Sequence, residues 1–161
     1  MKNLICLLLI SASLLSCKKK NHDPEPMVPA VVQGKIYGVP FESKAVIERY
    51  TQFSMGNYKP TDLFSIYLSS DASKSCSTPS EQFAIRLTVP KKVGTFSQND
   101  VYISVNDPRD PTGHDGVLFS SENTIITITS ITQDKVIGQV DIKDSENDID
   151  FKGRFEANIC K

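Results

Sequence analysis

The chain has 161 residues, with 18 Lys and Arg against 19 Asp and Glu, so its formal net charge is only −1. Because positive charge is not concentrated in a stripe on the folded part, the composition argues against nucleic acid as a partner. The length allows one domain of ordinary size and an additional segment.

Residues 1–16 have the layout of an export signal. Lys2 supplies a positive start, an apolar run follows from Leu4 to Leu15, and the small residue Ser16 precedes Cys17. The apolar run is shorter than the about 20 residues that a membrane-spanning helix needs. We therefore expect residues 1–16 to be removed as a signal peptide.

The four residues Leu14-Leu15-Ser16-Cys17 resemble the lipobox of bacterial lipoproteins. This resemblance implies that Cys17 receives a diacylglyceryl thioether, and that the chain is cut before Cys17. The new amine is then acylated, with palmitate as the expected chain. Several acyl chains anchor a protein stably, whereas one chain binds a membrane only marginally. The alternative is an ordinary signal peptide with an incidental cysteine.

Residues 17–30 follow as a tether rich in lysine and proline. Proline favours extended chain, so this segment is expected to lift the domain away from the lipid. Lys18, Lys19 and Lys20 lie beside the lipid and are candidates for contact with anionic headgroups, although a solvated spacer is the simpler interpretation. By the sorting rule of such lipoproteins, a residue other than Asp after Cys17 favours the outer membrane. Periplasmic and surface exposure both stay open.

Residues 31–161 are predicted to form a single all-β domain, because apolar residues recur with period two and helical periodicity is absent. Short strands joined in sequence by turns favour an antiparallel β-sandwich or a partly open β-barrel of about nine strands. The run Thr124 to Ile131 has isoleucines on both faces and is interpreted as a central strand covered on both sides. The predicted strands are 31–37, 45–50, 64–69, 83–89, 101–105, 117–120, 124–131, 135–142 and 151–159.

Two cysteines, Cys76 and Cys160, remain in the mature domain after Cys6 leaves with the signal and Cys17 takes the lipid. In an oxidising compartment these two have a single possible pairing, which predicts a disulfide. Two free thiols are the alternative.

A family resemblance rests on an opening segment, Gly34-Lys-Ile-Tyr-Gly-Val-Pro-Phe41, and on four later segments. The later segments are Val93-Gly-Thr-Phe96, Ser121 to Ile131, Val136-Ile-Gly-Gln-Val140 and Phe151-Lys-Gly-Arg-Phe155. Together they resemble small Bacteroidetes-type lipoproteins whose β domain has no known function. The resemblance implies an exported β domain and supplies no catalytic residues.

The loop around His114 contains the candidate for catalysis and the first candidates for metal binding. A Ser-His-Asp arrangement would use His114, but there is no Gly-x-Ser-x-Gly motif to mark a nucleophile. Asp107, Asp110 and Asp115 are weak calcium candidates, because their spacing does not follow the EF-hand pattern. The acidic stretch from Asp141 to Asp150 is a second, equally weak candidate, and a solvated turn explains it. We therefore expect no enzyme activity and no cofactor.

Three aromatic residues, Tyr50, Phe53 and Tyr58, lie in a long connection after a predicted strand. Exposed aromatics at such a place stack on sugars or anchor protein partners. Aromatics that cap the core beneath a loop are the commoner outcome.

The sequence thus predicts a lipid-anchored protein of the bacterial envelope with a non-catalytic binding or structural module. The expected partners are the membrane, through the lipid, and an envelope protein, a glycan or a peptide. A small hydrolase or a hydrolase inhibitor is the alternative.

Overall fold

The computed structural model describes residues 30–110, 116–119 and 123–161, with side chains throughout except in 116–119. The described residues form eleven β-strands and no α-helix, so the prediction of an all-β domain is confirmed. No helix among them is long and apolar enough to cross a membrane. The signal peptide, Cys17 and the predicted tether up to residue 29 lie outside the described residues. The strands are β1 (Val32–Ile36), β2 (Val39–Glu42), β3 (Ala45–Tyr50), β4 (Leu63–Ser69), β5 (Ile85–Pro90), β6 (Gly94–Ser97), β7 (Tyr102–Asn106), β8 (Gly116–Phe119), β9 (Asn123–Ile131), β10 (Lys135–Asp144) and β11 (Ile149–Ile159).

The strands form one curled sheet in the order β6-β9-β10-β11-β3-β4-β5-β7-β8, and the hairpin β1-β2 joins it at β11. Neighbouring strands are antiparallel except for β11 and β3, which are parallel. This arrangement fits both forms that the sequence predicted, a sandwich and a partly open barrel. The count of about nine was low because the four-residue strands β2 and β6 were not predicted.

Strand β11 changes partner along one of its edges. Its residues Asp150 to Gly153 pair with β1, whereas Asn158 and Ile159 pair with β3. On its other edge β11 pairs with β10 from Ile149 to Asn158. The sheet therefore divides at β11 into two parts, which curl around a shared core.

The core is filled by the inward-facing side chains of most strands. In β11 the predicted alternation is confirmed, since Phe151, Phe155 and Ala157 are fully buried. In β9 the expectation of two covered faces is wrong. Ile126 and Ile128 are buried, but Ile125 is 52% exposed, because no described element packs on the outer side of this part of the sheet.

The strand that is buried on both faces is β4, whose seven residues are all buried. Its outward residue Tyr67 packs with Ile47 and Phe83 in a second, smaller cluster. The connection that ends at Phe83 is held over this face by Arg49, whose guanidinium donates to the carbonyl oxygens of residues 75 and 76 at 3.1 and 2.7 Å. This connection therefore acts as an outer layer over β3 and β4.

A disulfide joins Cys76 of this outer layer to Cys160, directly after β11, with the Cα atoms 5.5 Å apart. The pairing is the one that the sequence predicted. It links the end of the last strand to the connection that covers β4, and the Cys160 amide also donates to the Glu48 carbonyl at 2.9 Å.

Two glycines allow β1 and β11 to approach each other closely. Gly34 has φ +155° and Gly153 has φ +147°, which L side chains rarely adopt. A Cβ atom at Gly34 would lie 2.0 Å from the Asp150 carbonyl oxygen, and one at Gly153 would lie 2.0 Å from the Val31 carbonyl oxygen. The close pairing of β1 with β11 therefore excludes any side chain at either position.

We expect Gly34→Ala to lower the free energy of unfolding by about 3 kcal/mol or more, because backbone strain adds to a clash with a main-chain atom. Gly56→Ala is the matched control, since Gly56 also has positive φ but nothing lies within 4 Å of its Cβ position. Its expected cost is roughly 1 kcal/mol, from strain alone. Urea unfolding of both variants tests this prediction. Equal losses of unfolding free energy would contradict the close approach of β1 and β11 at Gly34.

Replacing both cysteines by serine is expected to lower the free energy of unfolding by about 2–5 kcal/mol, because the cross-link restricts the unfolded chain. Urea unfolding of the Cys76→Ser/Cys160→Ser variant and of the reduced wild type should give the same midpoint. A variant as stable as the oxidised wild type would show that the bridge is dispensable.

Candidate functional site

The outer face of β6-β9-β10-β11-β1-β2 is open to solvent and carries rows of polar side chains. Cross-strand pairing places one residue of each strand in a single row, and every member of this row is exposed. The row is Ser97, Ile125, Asp141, Lys152, Gln33 and Glu42. Partners directly opposite each other in an antiparallel pair share one face, so these groups form a continuous surface.

This surface contains a depression of about 760 Å³ around β1 and β2, here named the β1–β2 depression. Charged groups of both signs line it, and Phe41 and Pro40 add apolar surface. The lining residues are Gln33, Gly34, Lys35, Pro40, Phe41, Glu42, Lys44, Ser70, Asp150 and Lys152. Because most of them belong to paired strands, their positions are fixed by the sheet.

The turn between β1 and β2 fixes one wall of the depression. Tyr37 and Gly38 have φ of 49° and 76°, as in the tight hairpin turns whose twist suits neighbouring strands. The Gly38 amide donates to the Asp148 carbonyl at 3.0 Å, and Lys35 forms an ion pair with the Asp148 carboxylate. This hydrogen-bonded pair raises the pKa of Lys35. The Lys35 ammonium is therefore already neutralised by the chain itself.

Lys44 and Lys152 differ from Lys35 in this respect. Neither forms an ion pair with any described residue, although both line the depression. Lys44 also lines a smaller adjoining cavity of about 290 Å³, together with Ala30 and Glu156. Ala30 is the last residue of the predicted tether, so the chain enters the domain beside the depression.

The structure does not bring the three predicted ligand-binding aromatics together. Tyr50 ends β3 and is 66% exposed, whereas Phe53 and Tyr58 are half-buried. Phe53 packs on Tyr102 with ring centroids 5.5 Å apart, and Lys92 Nζ lies 6.0 Å from the Tyr58 ring. Among the described ring contacts none joins two of the three, so they do not form one stacking platform.

The predicted calcium candidates are described only in part. The Asp107 carboxylate is bound by Arg109, with Nη2 2.6 Å from Oδ2, and this contact lowers the pKa of Asp107. Asp110 donates its amide to the Asp107 carbonyl at 3.1 Å. Asp115 and His114 lie outside the described residues. In the part that the structure describes, no group of three or more His, Cys, Asp or Glu side chains is placed to hold a metal.

The second acidic stretch forms a turn. The Asp144 carboxylate accepts from the amides of Glu146 and Asn147 at 3.0 and 3.3 Å, which satisfies the main chain between β10 and β11. Asp148 is the ion-pair partner of Lys35. These acids therefore have structural roles as turn and hairpin residues.

Sequence reasoning did not single out Glu48. This residue lies in β3 opposite Ile66, on the side of the core, and is only 6% exposed. Burial raises the pKa of its carboxyl, and the charge of Lys91 opposes that shift in part. The signal was present in the period-two pattern, which places Glu48 on the same face of β3 as Val46.

Comparison of the chain with protein-family models, curated proteins and solved structures gave no match.

The buried carboxyl of Glu48 predicts a specific pH dependence. A folded-state pKa above the ordinary value of 4.5 means that its stabilising contribution is present at low pH and is lost as pH rises through the folded pKa. Glu48→Gln should therefore raise the melting temperature relative to wild type near neutral pH, and less so at about pH 4.

Glu81→Gln is the control, because Glu81 is exposed. In thermal unfolding across this pH range, the melting temperature of Glu48→Gln relative to wild type should increase from about pH 4 to neutral pH, whereas that of Glu81→Gln should stay constant. Identical profiles for the two variants would contradict the assigned effect of burial.

Proposed function

We propose that the protein is a lipid-anchored bacterial envelope protein, held by acylated Cys17 in the outer membrane. Support for the anchor comes from the lipobox-like segment Leu14-Leu15-Ser16-Cys17 and the short apolar run before it. The domain that follows acts as a non-catalytic binding module on a rigid β scaffold.

The observation that carries the binding role is the β1–β2 depression on an uncovered sheet face. Lysines without an ion pair stand there beside carboxylates, and the strands hold all of them in fixed positions. Alternating charges on a preformed surface favour a partner with a complementary charge pattern, which steers encounter and sets register. An envelope protein with charged side chains fits this surface better than a neutral glycan does.

The position of the depression also suits an anchored protein. Ala30 lines the adjoining cavity, so the tether ends at this side of the domain. An extended tether of proline-rich character spans about 3.1 Å per residue, which places the depression within roughly 40 Å of the lipid. A partner that is itself attached to or near the membrane can therefore reach it.

The test is affinity capture of the tagged full-length protein from native envelopes, with its covalent lipid in place. Three forms are compared: wild type, Lys44→Glu/Lys152→Glu, and Lys59→Glu as a matched charge reversal on the connection between β3 and β4. We expect one protein to be recovered reproducibly with wild type and with Lys59→Glu. Recovery should fall about tenfold or more with the double variant, because two lysines become repulsive.

Mass spectrometry of the N-terminal peptide in the same preparation tests the anchor. An acylated Cys17 at the new N-terminus is expected. A mature chain that starts elsewhere, without lipid, would contradict the anchor, whereas equal capture by all three forms would contradict the binding role of the depression.

A further inference from the structure

The chain has four arginines, all of them in the described residues, and three use their guanidinium donors on oxygen atoms of the protein. Arg49 donates to the carbonyl oxygens of Ser75, Cys76 and Thr78 in the outer layer, and its distance to the Cys76 oxygen is 2.7 Å. Arg109 binds Asp107, and Arg154 binds Glu156 at 2.7 Å. The fourth, Arg86, forms no hydrogen bond or ion pair with any residue that the structure describes.

Arg86 lies on the outward face of β5, in a corner formed by two aromatic rings. Its Cζ atom is 5.3 Å from the centroid of Phe53 and 5.5 Å from that of Tyr102. The two rings are themselves 5.5 Å apart and tilted by 59°. Contacts of this kind attract a cation to the ring faces and hold the guanidinium plane in place.

The Nε atom of Arg86, like that of Arg49, is buried and has no acceptor among the described residues. Arg86 differs from Arg49 in that its two terminal nitrogens also bond to no described residue. A buried donor without an acceptor costs free energy, and such a group calls for an explanation. Here the stacked rings fix the arginine while its remaining donors face solvent.

Two other arginines show how the same arrangement is completed within this protein. Arg49 lies 5.7 Å from the Tyr67 centroid and 5.5 Å from that of Phe83, and its donors bind carbonyl oxygens. Arg109 lies 5.1 Å from the Tyr37 centroid and binds a carboxylate. Arg86 has the same aromatic support as Arg49, but no oxygen acceptor for its guanidinium is found among the described residues.

We propose that Arg86, supported by Phe53 and Tyr102, binds the carboxylate group of a small ligand. The guanidinium fork matches a planar carboxylate, and the rings hold it ready for that contact. One cation balances one negative charge, so a monovalent carboxylate fits the site better than a phosphate, which carries more charge at neutral pH. The site lies on β5 and β7, whereas the β1–β2 depression lies on β1, β2 and β11, so this proposal is independent of the proposed function.

The test uses the ¹⁵N-labelled full-length protein in micelles of a neutral detergent. The Arg86 Nε–H resonance is followed by NMR during titration with D-glucuronate, with D-glucose as the uncharged analogue and inorganic phosphate as the competing anion. The same titrations are made on Arg86→Lys, Arg86→Gln and Arg109→Gln, after circular dichroism has shown that each variant is folded. For the Arg86 variants, binding is read from the backbone amides of β5.

We expect saturable shifts with D-glucuronate and none with D-glucose. Arg86→Lys, which keeps the charge but not the fork, should weaken binding by about tenfold, and Arg86→Gln at least as much. Arg109→Gln should bind like wild type, because that guanidinium is already occupied by Asp107.

Several results would overturn the proposal. One is equal affinity of wild type and Arg86→Lys for D-glucuronate, which would show that positive charge alone, and not the guanidinium fork, binds the ligand. Another is equal weakening by Arg109→Gln, which would indicate non-specific attraction. Tighter binding of phosphate than of glucuronate would refute the carboxylate assignment, and an absence of saturable shifts would refute the site.

Discussion

The fold depends on how β11 divides one of its hydrogen-bonding edges between two strands, β1 and β3. On one edge it pairs with β10 along almost its whole length, and on the other it takes β1 first and β3 later. Gly34 and Gly153 make this division possible, because a side chain at either position would meet main-chain atoms of the opposite strand. Residues 154–157 of β11 pair with neither β1 nor β3, and the smaller cavity lies beside this interval. Thus the division of this edge leaves an unpaired interval of β11 beside the cavity that Ala30 lines.

The two faces of the sheet are covered in different ways on either side of β11. Over β4 the outer layer is held by the disulfide and by Arg49. The start of the connection after β3 is held to the same strand by the hydroxyl contact of 2.8 Å between Thr51 and Ser65. Over β9 and β10 the described residues form no comparable layer, and Ile125 and the residues of the cross-strand row are exposed. The uncovered half is therefore available for a partner, whereas the covered half presents only selected groups such as Arg86.

The sequence predicted the strands well where alternation was long, and poorly where it was short or where burial came from elsewhere in the chain. In β11 every second residue over a long run is apolar, and the inward set was identified correctly. Strand β2 has only four residues and follows a turn that begins with Tyr37, a residue that does not suggest a turn by type. For β4 and β9 the pattern alone cannot say which strand has a second layer, since that depends on the distant cysteine at position 76 and on Phe83.

The same limit applies to the candidate sites. Period-two spacing predicts that Arg86 lies on the face opposite Ile85 and Leu87. Its contact with Phe53 depends on the course of the connection after β3, and no local sequence pattern predicts that course. Lys44 and Lys152 are likewise separated by most of the domain in sequence and are brought together because β11 pairs with β1. In a domain built from long-range strand pairs, side chains converge through register rather than through motif, so the charged surface around β1 and β2 follows from the topology of β11. This is why a chain with few recognisable motifs still presents two chemically distinct surfaces, one with charges of both signs and one with a single supported cation.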